Sequence, residues 1–205
     1  ASADGFTRSN PLGKDADEQM KFNQDDEISV TAGGQAAVTY RFNGSEWIPQ
    51  DSKFLKWESE TMNFTAYYPA SYTGGTITQP TAYPDEASLI AADYMSFTGD
   101  VKNPGDNSLT LTMQRKMARV VVEVVGFNDQ YAENTSVNSV TINGNVKALK
   151  HDGKFYALMV PCDAQETKTF LSLKVGENNT ETLTGIPALE AGKSYTTPPD
   201  RKSVV

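Results

Sequence analysis

Cysteine and histidine occur once each in these 205 residues, and each scarcity excludes a class of chemistry. A lone Cys162 allows no intrachain disulfide and no thiolate metal cluster. It ends the apolar run 157–162, ALMVPC, where a small buried side chain is the plain expectation. A lone His151, in the turn-like His151-Asp152-Gly153, cannot supply a histidine-based zinc site. A Cys162–His151 nucleophile pair would need the fold to join them. Cations are also in deficit: Lys and Arg total 18 against 26 Asp and Glu, a net charge of −8. So acidic a chain is a poor ligand for nucleic acid or anionic membrane, and other proteins are its natural partners. No window approaches the ~18 apolar residues of a membrane-spanning helix. Glycines do not form a phosphate loop; Gly33-Gly34 and Gly74-Gly75 are isolated pairs that read as turns. A GxSxG nucleophile elbow is missing too. Carboxylates are abundant enough to pair by chance, so a two-carboxylate glycosidase site has no specific support. The acid-rich stretch 15–26 lacks the glycine and the bidentate glutamate of an EF-hand loop. The Asn-x-Ser/Thr triplets at Asn43, Asn63, Asn134 and Asn178 carry little weight in a threonine-rich chain. The expectation is a protein without catalytic residues, cofactor or metal, and not an enzyme.

What the sequence does contain is period-two alternation. Residues 109–127, LTLTMQRKMARVVVEVVGF, read as two strands broken at Arg115-Lys116. Leu109, Leu111 and Met113 alternate with Thr110, Thr112 and Gln114. Ala118, Val120, Val122 and Val124 then share a face opposite Arg119 and Glu123. Such alternation with β-branched residues predicts a sheet with one face on a core. Upstream, 27–31 reads as a strand. Asn43-Gly44 between 36–42 and 46–49 predicts a hairpin, 54–57 a short element, and 62–68 a strand stopped by Pro69. A long loop follows over 70–84. Pro84 and the acids after it open the one helix candidate, with Leu89, Ala92 and Met95 facing inward. The breaker cluster 103–107, NPGDN, predicts the domain boundary. Downstream come strands at 109–114, 118–127, 137–143, 154–161, 168–175 and 181–189, with turns between them. A last strand begins at Gly192 but meets Pro198-Pro199. The fold class is therefore all-β: β-sandwich domains over 1–106 and 107–205, one short helix, and a second domain one strand short. The opening residues read as a leader with the motif Gly5-Phe6-Thr7-Arg8, in a chain starting as if a targeting segment had been removed.

Several of these segments, taken in order, resemble the fimbrillin-like family of Bacteroidia-type bacteria: the Mfa-like proteins, type V pilins and their accessory subunits. They are Gly5-Phe6-Thr7-Arg8; Phe22 leading to DEISV at 26–30; YRFNGSEW at 40–47; Trp57; FTAYYP at 64–69; Ala91-Ala92-Asp93; LTLTMQRKMARVVV at 109–122; and ALEAGKSY at 188–195. The resemblance covers nearly the whole chain. It implies two transthyretin-like, Greek-key sandwich domains and a lipoprotein precursor carried to the outer membrane and the fimbrium at the cell surface. It also implies proteolysis after an arginine that removes a first strand, whose groove a neighbouring fimbrial subunit fills with its C-terminal strand. Arg8 matches the processing position and Phe6 the anchor of the removed strand. The short tail after Tyr195 departs from a donor strand, which suits a tip, terminator or anchor subunit, or a truncated copy. The alternative is a surface adhesin for host glycan or protein, using loop aromatics such as Tyr72, Tyr83 or Trp47.

Overall fold

Alternation along this chain builds sheets almost throughout. The structure is a computed structural model that describes residues 2–4, 10–13, 18, 21–124 and 135–197. Among them are fifteen strands and one short helix, so the protein is all-β. Two compact units divide the chain: Ala1–Thr76 with Asp93–Lys116, and Ile77–Ala92 with Met117–Val205.

Unit 1 holds one seven-stranded sheet. Its strands are β1 (Ser2–Asp4), β2 (Glu27–Ala32), β3 (Val38–Phe42), β4 (Trp47–Pro49), β5 (Thr61–Tyr68), β6 (Met95–Lys102) and β7 (Thr112–Arg115), in the spatial order β1-β7-β6-β5-β2-β3-β4. All pairings are antiparallel except β1 with β7. Register sorts the side chains. Ile28, Val30 and Ala32 of β2 line up with Met62, Phe64, Ala66 and Tyr68 of β5 on a buried face, joined by Met95 and Met113. The other face is polar, as the row Thr31, Thr65, Thr98 across three strands illustrates. One face apolar and one wet is what the period-two pattern demands of an antiparallel sheet. The predicted Asn43-Gly44 hairpin is present: Asn43 Oδ1 accepts from the N–H groups of Ser45 and Glu46 at 2.9 and 2.8 Å.

Three expectations are corrected here. The boundary expected at 103–107 falls inside unit 1, where Pro104 and Gly105 lie in a bend of the link from β6 to β7. Asn103 N–H donates to the Glu60 carbonyl at 2.8 Å, and Asn103 Oδ1 accepts from Gly105 N–H at 2.9 Å. The helix is only Glu86–Ala91, our α1, capped by Asp85, whose carboxylate accepts from Ser88 N–H at 2.8 Å. Met95 is buried as expected, but it opens β6 rather than ending a helix. The segment 54–57 is irregular.

Unit 2 has two four-stranded sheets. One runs β10 (Val146–Lys147), β9 (Val137–Ile142), β13 (Gln165–Val175), β14 (Asn179–Ile186); the other runs β11 (Leu149–His151), β12 (Lys154–Met159), β8 (Ala118–Glu123), β15 (Ser194–Thr197). Strands β8 and β12 are buried on both faces, so Arg119, expected to face water, is only 8% exposed. Its guanidinium lies 5.4 Å from the Tyr156 ring and donates to Ser194 Oγ at 3.1 Å. The crossover Ile77–Ala92 completes β12 where β11 stops. Gln79 Nε2 and Tyr83 Oη both donate to the Leu158 carbonyl, at 3.0 and 2.5 Å, and Gln79 Oε1 accepts from Val160 N–H at 2.7 Å. Two side chains thus do what a neighbouring strand would do for these backbone groups. The final strand that the sequence begins at Gly192 is β15, parallel to β8 at the sheet edge. Pro198 and Pro199 lie outside the described residues.

Candidate functional site

The features that could recognise a partner in unit 1 are a sheet end and a groove. The sheet ends in β1, whose Ser2, Ala3 and Asp4 stand opposite Thr112, Met113 and Gln114. Three residues of parallel pairing are a short hold on an edge. Arg8 and Phe6, the expected processing site and strand anchor, lie outside the described residues.

The groove, about 660 Å³, opens on the apolar side of the same sheet. Ile28 and Val30 of β2, Tyr40 of β3 and Phe64 of β5 form its floor. Trp47, the segment 54–57, and Asn107, Leu109 and Leu111 complete its lining. The segment 54–57 has no strand partner among the described residues, yet it is pinned. Gln35 Nε2 donates to the Lys56 carbonyl at 2.7 Å, Gln35 Oε1 accepts from Lys56 N–H at 2.9 Å, and Tyr40 Oη accepts from Leu55 N–H at 3.3 Å. A side-chain amide reproduces one rung of a ladder. Gln35→Ala is therefore expected to destabilise unit 1 by only about 1 kcal/mol, while hydrogen exchange at the Lys56 amide accelerates more than tenfold. Unchanged exchange there would mean the rung holds nothing.

Other sequence candidates fall elsewhere. Tyr83 is 2% exposed and serves the β12 backbone, so it is no ligand contact. Tyr72 stands edge-on between Tyr67 and Tyr94, at 5.5 and 5.0 Å, and donates to the Gly75 carbonyl at 3.1 Å. Burial, then its two tyrosine neighbours, push its phenol above the ordinary value. Gly74 is required beneath this cluster: its φ is +83°, and a Cβ there would sit 2.5 Å from the Tyr67 hydroxyl. Trp47 does line the groove. Cys162 is half-buried and bonded through its backbone to Leu189, at 3.0 and 2.9 Å. His151 Nδ1 faces Glu86 at 3.0 Å. Among the described residues no cluster of His, Cys, Asp or Glu is suited to a metal ion, and no helix is long and apolar enough to cross a membrane.

Sequence reasoning missed a buried ion pair. Arg115 Nε and a terminal nitrogen grip both Asp93 oxygens, at 2.6 and 2.5 Å, with both side chains fully buried. In the sequence, Arg115-Lys116 reads only as a break between two strands. Only the pairing of β6 with β7, which sets Arg115 opposite Met95 on the core face, reveals otherwise.

The profile of the fimbrillin-like family matches residues 12–158. The chain belongs to the fimbrillin-like family. Solved structures agree on the fold. This fimbrillin-like chain is similar to a fimbrial protein of Bacteroides ovatus (TM-score 0.64, 17% identity), covering 98% of itself and 48% of that protein. The chain thus spans about half of that relative. It is similar to a candidate cell adhesion protein of Bacteroides uniformis (TM-score 0.64, 14% identity, 90% of each chain). A third likeness is to a candidate cell adhesion protein of Bacteroides ovatus (TM-score 0.59, 15% identity, 92% and 88% of the two chains). No curated protein matches the sequence.

Proposed function

We propose that this fimbrillin-like chain is a structural or accessory subunit of cell-surface fimbriae, a tip or anchor component included. It is exported, held at the outer membrane through a lipid on its precursor, and carries out no catalysis. The observation that carries the reading is β1. A first strand joined to the sheet by only three parallel partners can leave it at small cost to the fold. Cleavage after Arg8 would release it and leave the β7 edge with unpaired N–H and C=O groups. Another subunit's strand can then pair there, its backbone giving affinity and its alternate side chains giving register. Family membership and the fimbrial and adhesion relatives support this reading. The second reading, an adhesin for a host glycan or protein, is favoured by one observation, the aromatic groove.

Limited trypsin digestion followed by mass spectrometry and size-exclusion chromatography tests the proposal. The expected result is cleavage after Arg8, a resistant remainder, and higher oligomers that an Arg8→Ala chain does not form. A cleaved chain that stays monomeric at high concentration rules out assembly by this chain alone.

A further inference from the structure

We propose that the aromatic groove of unit 1 binds a pyranose ring bearing a carboxylate, a uronic or sialic acid. This reading is independent of strand exchange. Three properties of the groove converge on that chemistry.

The first is a set of rings fixed before any ligand arrives. Trp47 meets the core edge-on against Phe22 at 4.8 Å, and Trp57 does so against Phe64 at 5.1 Å. Each tryptophan therefore keeps one orientation while lining the groove. Preset aromatic surfaces add affinity because little freedom is lost on binding. Phe54 stands at the groove 63% exposed, an aromatic surface no core residue covers. A pyranose presents C–H groups on its faces, which suit such rings, and hydroxyls around its rim.

The second property is hydrogen bonding beside the rings. Tyr40 Oη accepts from Leu55 N–H, so its own proton remains to be donated to a sugar oxygen. Asn107, exposed in the lining, accepts from Asn103 Nδ2 through its Oδ1 at 3.3 Å and offers its amide N–H groups.

The third is charge. Among the described residues Lys56 is the only charged one lining the groove, its ammonium 5.9 Å from the Phe54 ring centroid. It forms no ion pair among the described residues. In a chain of net charge −8, a groove whose described lining holds a cation and no carboxylate selects a ligand carrying one negative charge. A single lysine fits a monoanion better than a phosphate cluster, and the protein's acidity disfavours a nucleic acid. The volume, about 660 Å³, lies within the roughly 300–1,000 Å³ of small-ligand sites.

The chain contains two tryptophans, Trp47 and Trp57, and both line the groove. Intrinsic tryptophan emission therefore reports on this site alone. Titration of the full chain with sialyllactose and with digalacturonic acid is expected to give a saturable emission change with at least one, while lactose gives little. Response to one acid alone identifies the source of the carboxylate, and either supports the proposal. Lys56→Met is expected to weaken binding about tenfold, and Phe54→Ala about three- to tenfold. Both side chains are exposed, so neither variant should lower the melting temperature. Silence with both acids up to their solubility limit overturns the proposal. So does an equal response to lactose, or unaltered affinity in Lys56→Met. An emission change that follows protein concentration alone assigns the groove to a second copy of the chain and also overturns it.

Discussion

Asp93→Ala is expected to melt roughly 6–20 °C below the parent chain, from a loss of about 3–5 kcal/mol. The figure follows from what the substitution leaves behind. The Arg115 guanidinium has no solvent exposure and lies on the core face of β7, in a unit whose neighbouring core residues include Met95 and Met113. Two charges desolvated together are offset by their mutual attraction and by the bidentate geometry. A guanidinium desolvated without its carboxylate is not. Arg115→Met strands the carboxylate instead and should cost a similar amount. The double variant Asp93→Leu with Arg115→Met removes both charges and is expected to return close to parental stability. Urea unfolding followed by circular dichroism completes the cycle. Single variants within about 1 kcal/mol of the parent would show that the buried pair contributes no more than a surface one.

Stability should also fall steeply in alkali, and Tyr68 sets part of the slope. Its ring lies in the unit 1 core, 3% exposed, and its hydroxyl donates to Asp26 Oδ1 at 2.9 Å. Burial first, and then the Asp26 carboxylate, hold the phenol far above its ordinary value of 10.0. Above pH 10 the unfolded chain releases this proton while the folded chain keeps it. The folded state then binds more protons, so raising pH favours unfolding. The contribution is complete below pH about 10 and is lost at up to about 1.4 kcal/mol per pH unit above it. Tyr68→Phe should be less stable than the parent at pH 7, since Asp26 loses a donor, and should lose stability more slowly above pH 10. Denaturant midpoints of the two chains between pH 8 and about 12 test this. Parallel curves would place the alkaline transition in other groups.

Much of the fold was legible because an antiparallel sheet with one wet face writes itself as alternation. Strands β2, β5, β9 and β12 lie where the pattern puts them. The failures have local causes. Strand β6 carries the same signal, with Met95, Phe97 and Val101 alternating with polar residues. Helix-favouring Ala91-Ala92 ahead of it, and Gly99 within it, masked the alternation. A proline and a glycine such as Pro104 and Gly105 punctuate a bend between strands of one sheet as readily as a linker between domains. Arg119 read as solvent-facing, and Arg115 only as a break between strands, because a cation's burial depends on partners distant in sequence: Tyr156 and Ser194 for one, Asp93 for the other. The groove was the least legible feature. Its lining comes from four strands and two irregular segments, and one of those is held by Gln35, 21 residues away. Trp47 alone of the three loop aromatics singled out lines it.

The division of the chain has a mechanical consequence. The backbone passes between the two units three times, after Thr76, Ala92 and Lys116. Two domains in series on one linker would carry tension through a single covalent strand, and stretching that linker would be the first response to force. Here, tension drawn from unit 1 into unit 2 divides among three connections. The last two connections bracket Asp93–Lys116, whose ends are fastened by the Asp93–Arg115 pair and by the Lys116 N–H to Tyr94 carbonyl bond at 2.8 Å. Drawing the two ends of that segment apart would first have to break this fastening.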